Sequence, residues 1–192
     1  MWTLDLHDDL PLWRPAADPH GARIAFTTRR GGVSAAPYDS LNLGKSTADD
    51  PAAVETNRAR VLAALGLPPD RLATAGQVHG TTVTPAHHPG LHPECDALVT
   101  AECSLALAVS GADCLPIVFS APGAVAAAHA GWRGVDAGVP ARAFAAVKAA
   151  AGERADIRVY FGPCIRPCCY VVGPEVAERF SPEVLRTRDG AH

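Results

Sequence analysis

At 192 residues, the chain has the length of one domain able to bury a real core. Its formal charge of −3 and isoelectric point near 6.2 leave no electrostatic footprint for nucleic acid or an anionic membrane. No apolar run approaches the roughly 20 residues needed to span a bilayer. The first residues, Met1-Trp2-Thr3-Leu4-Asp5-Leu6-His7-Asp8-Asp9, carry acids and no basic or apolar leader segment, which argues against a signal peptide and for the cytoplasm. Thiols stay reduced there, so the six cysteines (Cys95, Cys103, Cys114, Cys164, Cys168 and Cys169) are thiols or metal ligands and not a disulfide framework.

Residues 24–28 read as a first strand. The turn Arg29-Arg30-Gly31-Gly32 and a long irregular loop to Gly44 follow. Paired glycines permit close backbone approach, which suits either a bound anion or a simple corner, and the two arginines favour the anion. Asp50-Pro51 opens a helix, with Asp50 as cap and Pro51 in the first position. Val54, Val61, Leu62 and Leu65 form its core stripe, and Gly66 suits the C-terminal left-handed position. The segment 72–83 reads as β structure around Gly76-Gln77-Val78-His79-Gly80. Taken alone, His79 beside a glycine reads as structural or exposed. The proline-rich stretch with His87, His88 and His92 reads as a solvated loop. Residues 95–100 and 105–109 are expected as strands.

Two short apolar runs then flank Ser120-Ala121-Pro122-Gly123, a hairpin with a four-residue loop. If Phe119 faces Ala124, the same register sets Cys114 opposite His129. Facing residues have Cβ atoms roughly 4.5–5.5 Å apart. One metal can be reached from both, because Zn–S is about 2.3 Å and Zn–N about 2.0–2.1 Å. Pro116 inside the strand implies an edge or a bulge. Residues 136–152 are expected as one helix capped by Asp136, with Val139, Ala143, Val147 and Ala151 facing the core. The preceding Gly131-Trp132-Arg133-Gly134 places an arginine near a helix start, where phosphate can bind. A strand at 157–161, a loop and a short helix at 174–180 complete the reading. Cys164, Cys168 and Cys169 lack a C-x-x-C spacing and read as small buried packing residues.

Six motifs occur in order: Thr28-Arg29-Arg30-Gly31-Gly32-Val33-Ser34, Pro37-Tyr38-Asp39-Ser40-Leu41-Asn42-Leu43-Gly44, Gln77-Val78-His79-Gly80, Asp96-Ala97-Leu98-Val99-Thr100, Ala112-Asp113-Cys114-Leu115-Pro116 and His129-Ala130-Gly131-Trp132-Arg133-Gly134. Together they resemble the YfiH-like, laccase-domain family of purine nucleoside phosphorylases. The resemblance implies an α+β fold, with mixed β-sheets packed together and flanked by helices in a single domain. It implies a metal held by His79, Cys114 and His129. It also implies phosphorolysis of adenosine, inosine and methylthioadenosine, with adenosine deamination as a side activity; a homodimer is one assembly open to the chain, and the sequence does not fix the oligomeric state. Arg166 stands where the family usually has glycine, and Val171 where glutamate is common. Family members continue for roughly fifty residues more, with a final strand and an arginine-bearing segment. A chain ending at His192 is therefore expected to lack that strand, to turn over slowly and to self-associate.

Three protein ligands with an open fourth position are the pattern of a catalytic zinc. One thiolate and two neutral imidazoles leave a net charge near +1, which polarises a substrate or acidifies water and so suits attack at C6 of adenine. Phosphorolysis also needs an anion site, for which Arg29, Arg30 and Arg133 are the candidates, with Asn42 as a polar contact to the nucleoside. Asp113 points to the opposite face of its strand from Cys114 and is a lesser candidate for a ligand. Other chemistries share the same residues. Cys114 with His129 as its base makes a metal-free cysteine hydrolase or transferase. Copper in place of zinc makes a polyphenol oxidase. A binding module with structural zinc is the non-enzymatic reading.

Overall fold

The computed structural model describes residues 2–186; Met1 and the end of the chain, including Arg188–His192, lie outside the described residues. In chain order its elements are β1 (Trp2–His7), β2 (Leu10–Pro15), β3 (Phe26–Thr27), α1 (Pro51–Ala64), β4 (Leu72–Ala75), β5 (Val83–Pro85), β6 (Gly90–His92), β7 (Ala97–Thr100), β8 (Ala106–Ala108), β9 (Leu115–Ala121), β10 (Ala124–Ala130), α2 (Trp132–Asp136), α3 (Val139–Ala151), β11 (Arg158–Phe161) and α4 (Pro174–Ala177). The strands form an antiparallel sheet β1-β2-β3, a five-stranded sheet β11-β9-β10-β7-β5 and a parallel sheet β6-β4-β8. In the central sheet only the β5–β7 pair is parallel. This is the α+β architecture that the resemblance implies. No helix among the described residues is long and apolar enough to cross a membrane.

The central hairpin differs in register from the expectation. Ala121 pairs with Ala124, so only Pro122 and Gly123 make the turn, with Gly123 at φ +76°. Ser120 and Ala121 stay in the ladder because they are small and buried on an interior strand. His129 consequently faces Pro116, and Cys114 falls just outside β9. The displacement is by two residues, which keeps every side chain on its expected face. Pro116 needs no bulge. Its carbonyl accepts from the Gly162 N–H, so its missing donor faces the same side, just past the end of β11.

Helix α1 starts as its sequence dictates. The Asp50 carboxylate accepts from the Ala52 N–H at 2.9 Å, Pro51 is in the first turn, and Gly66 takes φ +67°. Val54 and Leu62 are buried, while Val61 and Leu65 are half-buried. The helix also buries Asn57 completely. Its amide accepts from the Val33 N–H and donates to Ser34 Oγ and to the carbonyls of Ser40 and Asn42, fastening the irregular 29–44 loop. The helix expected over 136–152 starts only at Val139, as α3, and the short α2 precedes it. Gly138 at φ +91° breaks the chain and caps α3, so Asp136 ends α2 and does not cap. The stripe itself holds, since Val139, Ala143 and Val147 are fully buried against the central sheet.

The sequence reading missed the hairpin β1–β2. It packs beside the central sheet through Trp2, whose ring lies 5.2 Å from Phe26 and 5.9 Å from Tyr160. Below it, the Asp18 carboxylate accepts from Tyr160 Oη (2.7 Å), Ser120 Oγ (2.9 Å) and the N–H groups of His20 and Ala22. Burial pushes this carboxyl up, but the four hydrogen bonds outweigh it and hold it below the usual range. Its contribution to stability is thus present above the unfolded value and is lost as pH falls through the folded one. Tyr160 is pushed up to about 12, by burial first and then by the bond to Asp18 and the Asp18 charge. A tyrosine in an unfolded chain ionises near 10. Stability from this contact should therefore be complete below about pH 10 and lost as pH rises towards the folded value. Tyr160→Phe is expected to abolish that alkaline loss, measured as urea unfolding across the interval.

Candidate metal centre

One buried carboxylate organises the region. Asp96 lies just before β7 and is fully buried. Its oxygens accept from the backbone N–H groups of Val78 (3.2 Å), His79 (3.0 Å) and Gly80 (2.7 Å). The connection between β4 and β5 coils around it with Gln77 at φ +58° and His79 at φ +60°, left-handed values that non-glycine residues rarely adopt. Three successive N–H groups around a carboxylate form an anion-holding nest, which offsets that backbone cost. On its other side Asp96 accepts from His129 Nδ1 at 2.8 Å. This fixes the proton on Nδ1 and leaves the Nε2 lone pair of the buried His129 available. Burial raises the Asp96 carboxyl, and its bonds to His129, Gly80 and His79 overcome that and leave it lowered.

Cys114 is delivered by a second clamp. Gln77 Nε2 donates to the Ser110 carbonyl (2.6 Å), and the Ser110 N–H donates back to Gln77 Oε1 (2.8 Å). The chain then turns tightly at Gly111, where an added Cβ would meet the Cys114 carbonyl oxygen at 2.7 Å. The Asp113 carbonyl accepts from the Ile165 N–H, which anchors the following loop alongside.

The donor atoms of His79, Cys114 and His129 all lie within 4.8 Å of one another. The two imidazoles meet edge to face, with centroids 4.9 Å apart. His129 is buried, Cys114 half-buried and His79 exposed, so the cluster opens to solvent at His79. The set fits a borderline-soft ion such as zinc, whose bonds of about 2.0–2.3 Å span such a triangle. Gly131 supports that fit. A Cβ there would lie 2.9 Å from His79 Cδ2 and 3.0 Å from Cys114 Sγ, in the space the donors converge on. Burial, then the charges of Asp113 and Asp96, pushes the Cys114 thiol up.

The remaining residues singled out by sequence lie as follows. Arg29, Arg30, Asp39 and Ser40 line a separate depression of about 310 Å³. Arg29 is already committed there, donating to the Asp39 carbonyl at 2.7 and 3.0 Å. Asn42 uses its amide within its own loop, on Thr47, Asp49 and the Gly44 N–H. Arg133 is exposed and lies 4.2 Å over the Trp132 ring. Asp113 is exposed. The expectation of an entirely solvated histidine loop fails at His92, which is buried, stacks on His88 and bonds the His88 carbonyl. The expectation of buried cysteines after Gly162 fails also: Cys168 and Cys169 are exposed and Cys164 is half-buried, because the segment runs over the surface as turns. The functional residues that sequence reasoning passed over are Asp96 and Gln77. The signal was an acid directly before the apolar run Ala97-Leu98-Val99, a position where a carboxylate must find partners.

A thiol and two imidazoles converging at the edge of mixed sheets define a candidate metalloprotein. The model of the family described as multi-copper polyphenol oxidoreductase laccase matches residues 23–191. A purine nucleoside phosphorylase of Streptomyces coelicolor is 42% identical over 178 residues, covering 90% of this chain and 72% of the relative. One from Deinococcus radiodurans is 44% identical, covering 89% and 67%. Among solved structures, YlmD from Geobacillus stearothermophilus aligns with a TM-score of 0.84 at 34% identity, covering 95% of this chain and 74% of that one. YfiH from Bacillus licheniformis gives 0.80 at 28%, covering 96% and 73%. The chain belongs to the YfiH-like laccase-domain family.

Proposed function

We propose that the protein is a zinc-dependent purine nucleoside phosphorylase, acting on adenosine, inosine and methylthioadenosine and deaminating adenosine as a side activity. The observation that carries the reading is the convergence of His79, Cys114 and His129, in a chain 42–44% identical to proteins named purine nucleoside phosphorylase. The three side chains would hold the ion, Asp96 keeping the His129 proton on Nδ1 so that Nε2 faces the ion. Bound there, zinc supplies a Lewis acid that polarises the substrate. Phosphorolysis joins phosphate to C1′ of the ribose as the base leaves with a proton. The phosphate must be held by cations, and Arg133 is suited to it. Its guanidinium carbon lies 4.2 Å over the Trp132 ring, and its N–H groups suit a bidentate contact to phosphate. Arg30 is the further cationic candidate, and Arg29 and Asn42 would have to exchange their present partners to reach a substrate.

The metal-free alternative, Cys114 as nucleophile with His129 as base, needs a thiol that ionises readily, whereas burial and two carboxylates raise this one. Copper-dependent polyphenol oxidation is the second reading, favoured by the description of the matching family. Metal analysis of the purified protein, together with phosphate-dependent release of hypoxanthine from inosine, tests the proposal. Copper with oxygen consumption, and no phosphate dependence, would overturn it. Arg133→Met is expected to lower phosphorolysis about tenfold or more, the worth of one charge-assisted contact. Deamination, which does not consume phosphate, should fall less. A parallel fall in both would make Arg133 a nucleoside contact or a structural residue.

A further inference from the structure

Between β11 and α4 the chain turns on Arg166, whose carbonyl accepts from the N–H groups of both Cys169 (2.9 Å) and Tyr170 (3.0 Å). That turn brings Cys168 Sγ and Cys169 Sγ to 3.4 Å, with both side chains exposed. Successive side chains point to opposite faces in extended backbone, so this juxtaposition is a product of the turn. We propose that Cys168 and Cys169 form a vicinal dithiol that low-molecular-weight disulfides of the glutathione type oxidise to an intrachain disulfide.

The exchange balances. One cysteine loses its proton to solvent and attacks a sulfur of the small disulfide, forming a mixed disulfide and releasing the first small thiol. The second cysteine, deprotonated in turn, attacks the protein sulfur of that mixed bond. The Cys168–Cys169 bond forms and the second small thiol leaves. The dithiol has given up two electrons and two protons, and the small disulfide has been reduced to two thiols. The hydrogen bond between the pair pushes the Cys169 thiol up, which slows the first, bimolecular step. The second step is intramolecular and has the advantage of proximity.

Covalent geometry makes such a bond reversible. Consecutive Cα atoms are about 3.8 Å apart across a trans peptide. Ordinary disulfides span about 4.4–6.8 Å, and compressed ones store strain and are reduced more easily. A bond at this site therefore belongs to the labile class. It also sits beside the metal centre. The same segment is anchored by the Ile165 N–H on the Asp113 carbonyl, next to Cys114. Tyr170, the next residue, has its hydroxyl raised by burial and then by the Cys114 charge, and lowered by Arg133. Closing the pair would redraw the turn that carries Tyr170.

The test uses the whole chain and does not depend on its activity or its metal. The protein is incubated with oxidised glutathione, quenched with N-ethylmaleimide and mapped by mass spectrometry. Cys168 and Cys169 are expected to lose alkylation together, in a peptide two hydrogens lighter that regains both labels after dithiothreitol. Cys168→Ser and Cys169→Ser should each leave a persistent glutathione adduct on the remaining cysteine. A stable adduct on either residue of the unaltered chain would overturn the proposal. So would full alkylation of both, or a bond from either to Cys164.

Discussion

On the proposed zinc reading, a chain carrying Cys114→Ala is expected to lose most of its metal while keeping its fold. Loss of the thiolate removes the one anionic ligand and leaves two imidazoles, one of them exposed. Affinity should fall by more than the roughly 10–100-fold that follows loss of a mere outer partner. The fold should survive because Cys114 lies outside β9 and outside the buried core clusters. Unfolding with the metal removed should then shift by no more than about 1 kcal/mol, the central value for a point substitution. The ligand must be a thiolate, and this thiol is raised by burial and by Asp113 and Asp96. Zinc uptake should therefore release a proton and weaken as pH falls, and the variant should release none. Elemental analysis and a pH-stat titration check both statements. Unchanged zinc in the variant would leave Cys114 a simple half-buried thiol.

Asp96→Asn should weaken zinc binding about 10–100-fold, although Asp96 is not one of the three donors. Four N–H donors converge on its two oxygens: those of Val78, His79, Gly80 and the His129 ring. Asparagine offers one acceptor oxygen and turns an NH2 group towards the remaining donors. If that NH2 faces the β4–β5 connection, the coil carrying His79 loses its support. If it faces His129, the ring is driven to the other tautomer and Nε2 carries the proton. Either outcome disables a ligand. Leaving buried donors without partners should also cost roughly 1–3 kcal/mol of stability per group. A chelator competition and metal-free unfolding separate the two effects. Reduced stability with unaltered zinc affinity would make Asp96 purely structural.

The parts of this molecule that were legible in sequence are those written in local chemistry. Asp50-Pro51 announces α1, and the Val139, Ala143 and Val147 spacing announces the buried face of α3. The candidate ligand set was read from short motifs held in common with a family, and the structure brings its three residues together. What failed depended on backbone angles or on distant partners. A turn of two residues or four is decided by whether Ser120 and Ala121 can stay in a ladder, which composition alone does not say. The helix expected from Asp136 starts only at Val139, because one left-handed glycine separates α3 from the short α2. Asp96 reads in sequence only as one residue of the strand expected over 95–100, since its donors arrive from residues 16–33 positions away.

The Asp18 clamp bears on the order in which the molecule assembles. Its hydroxyl partners stand 102 and 142 residues further along the chain. Closing loops of that size carries an entropic cost that rises with the logarithm of length, and no contact can return it until β9 and β11 are in place. The central hairpin, by contrast, closes through two residues. The amino-terminal hairpin is therefore expected to dock late, onto a sheet already formed, with the interactions of Asp18 largely absent from the folding transition state. Interactions of that kind act on the rate of escape from the native state and leave the rate of arrival nearly untouched. The clamp is thus expected to act as a brake on unfolding.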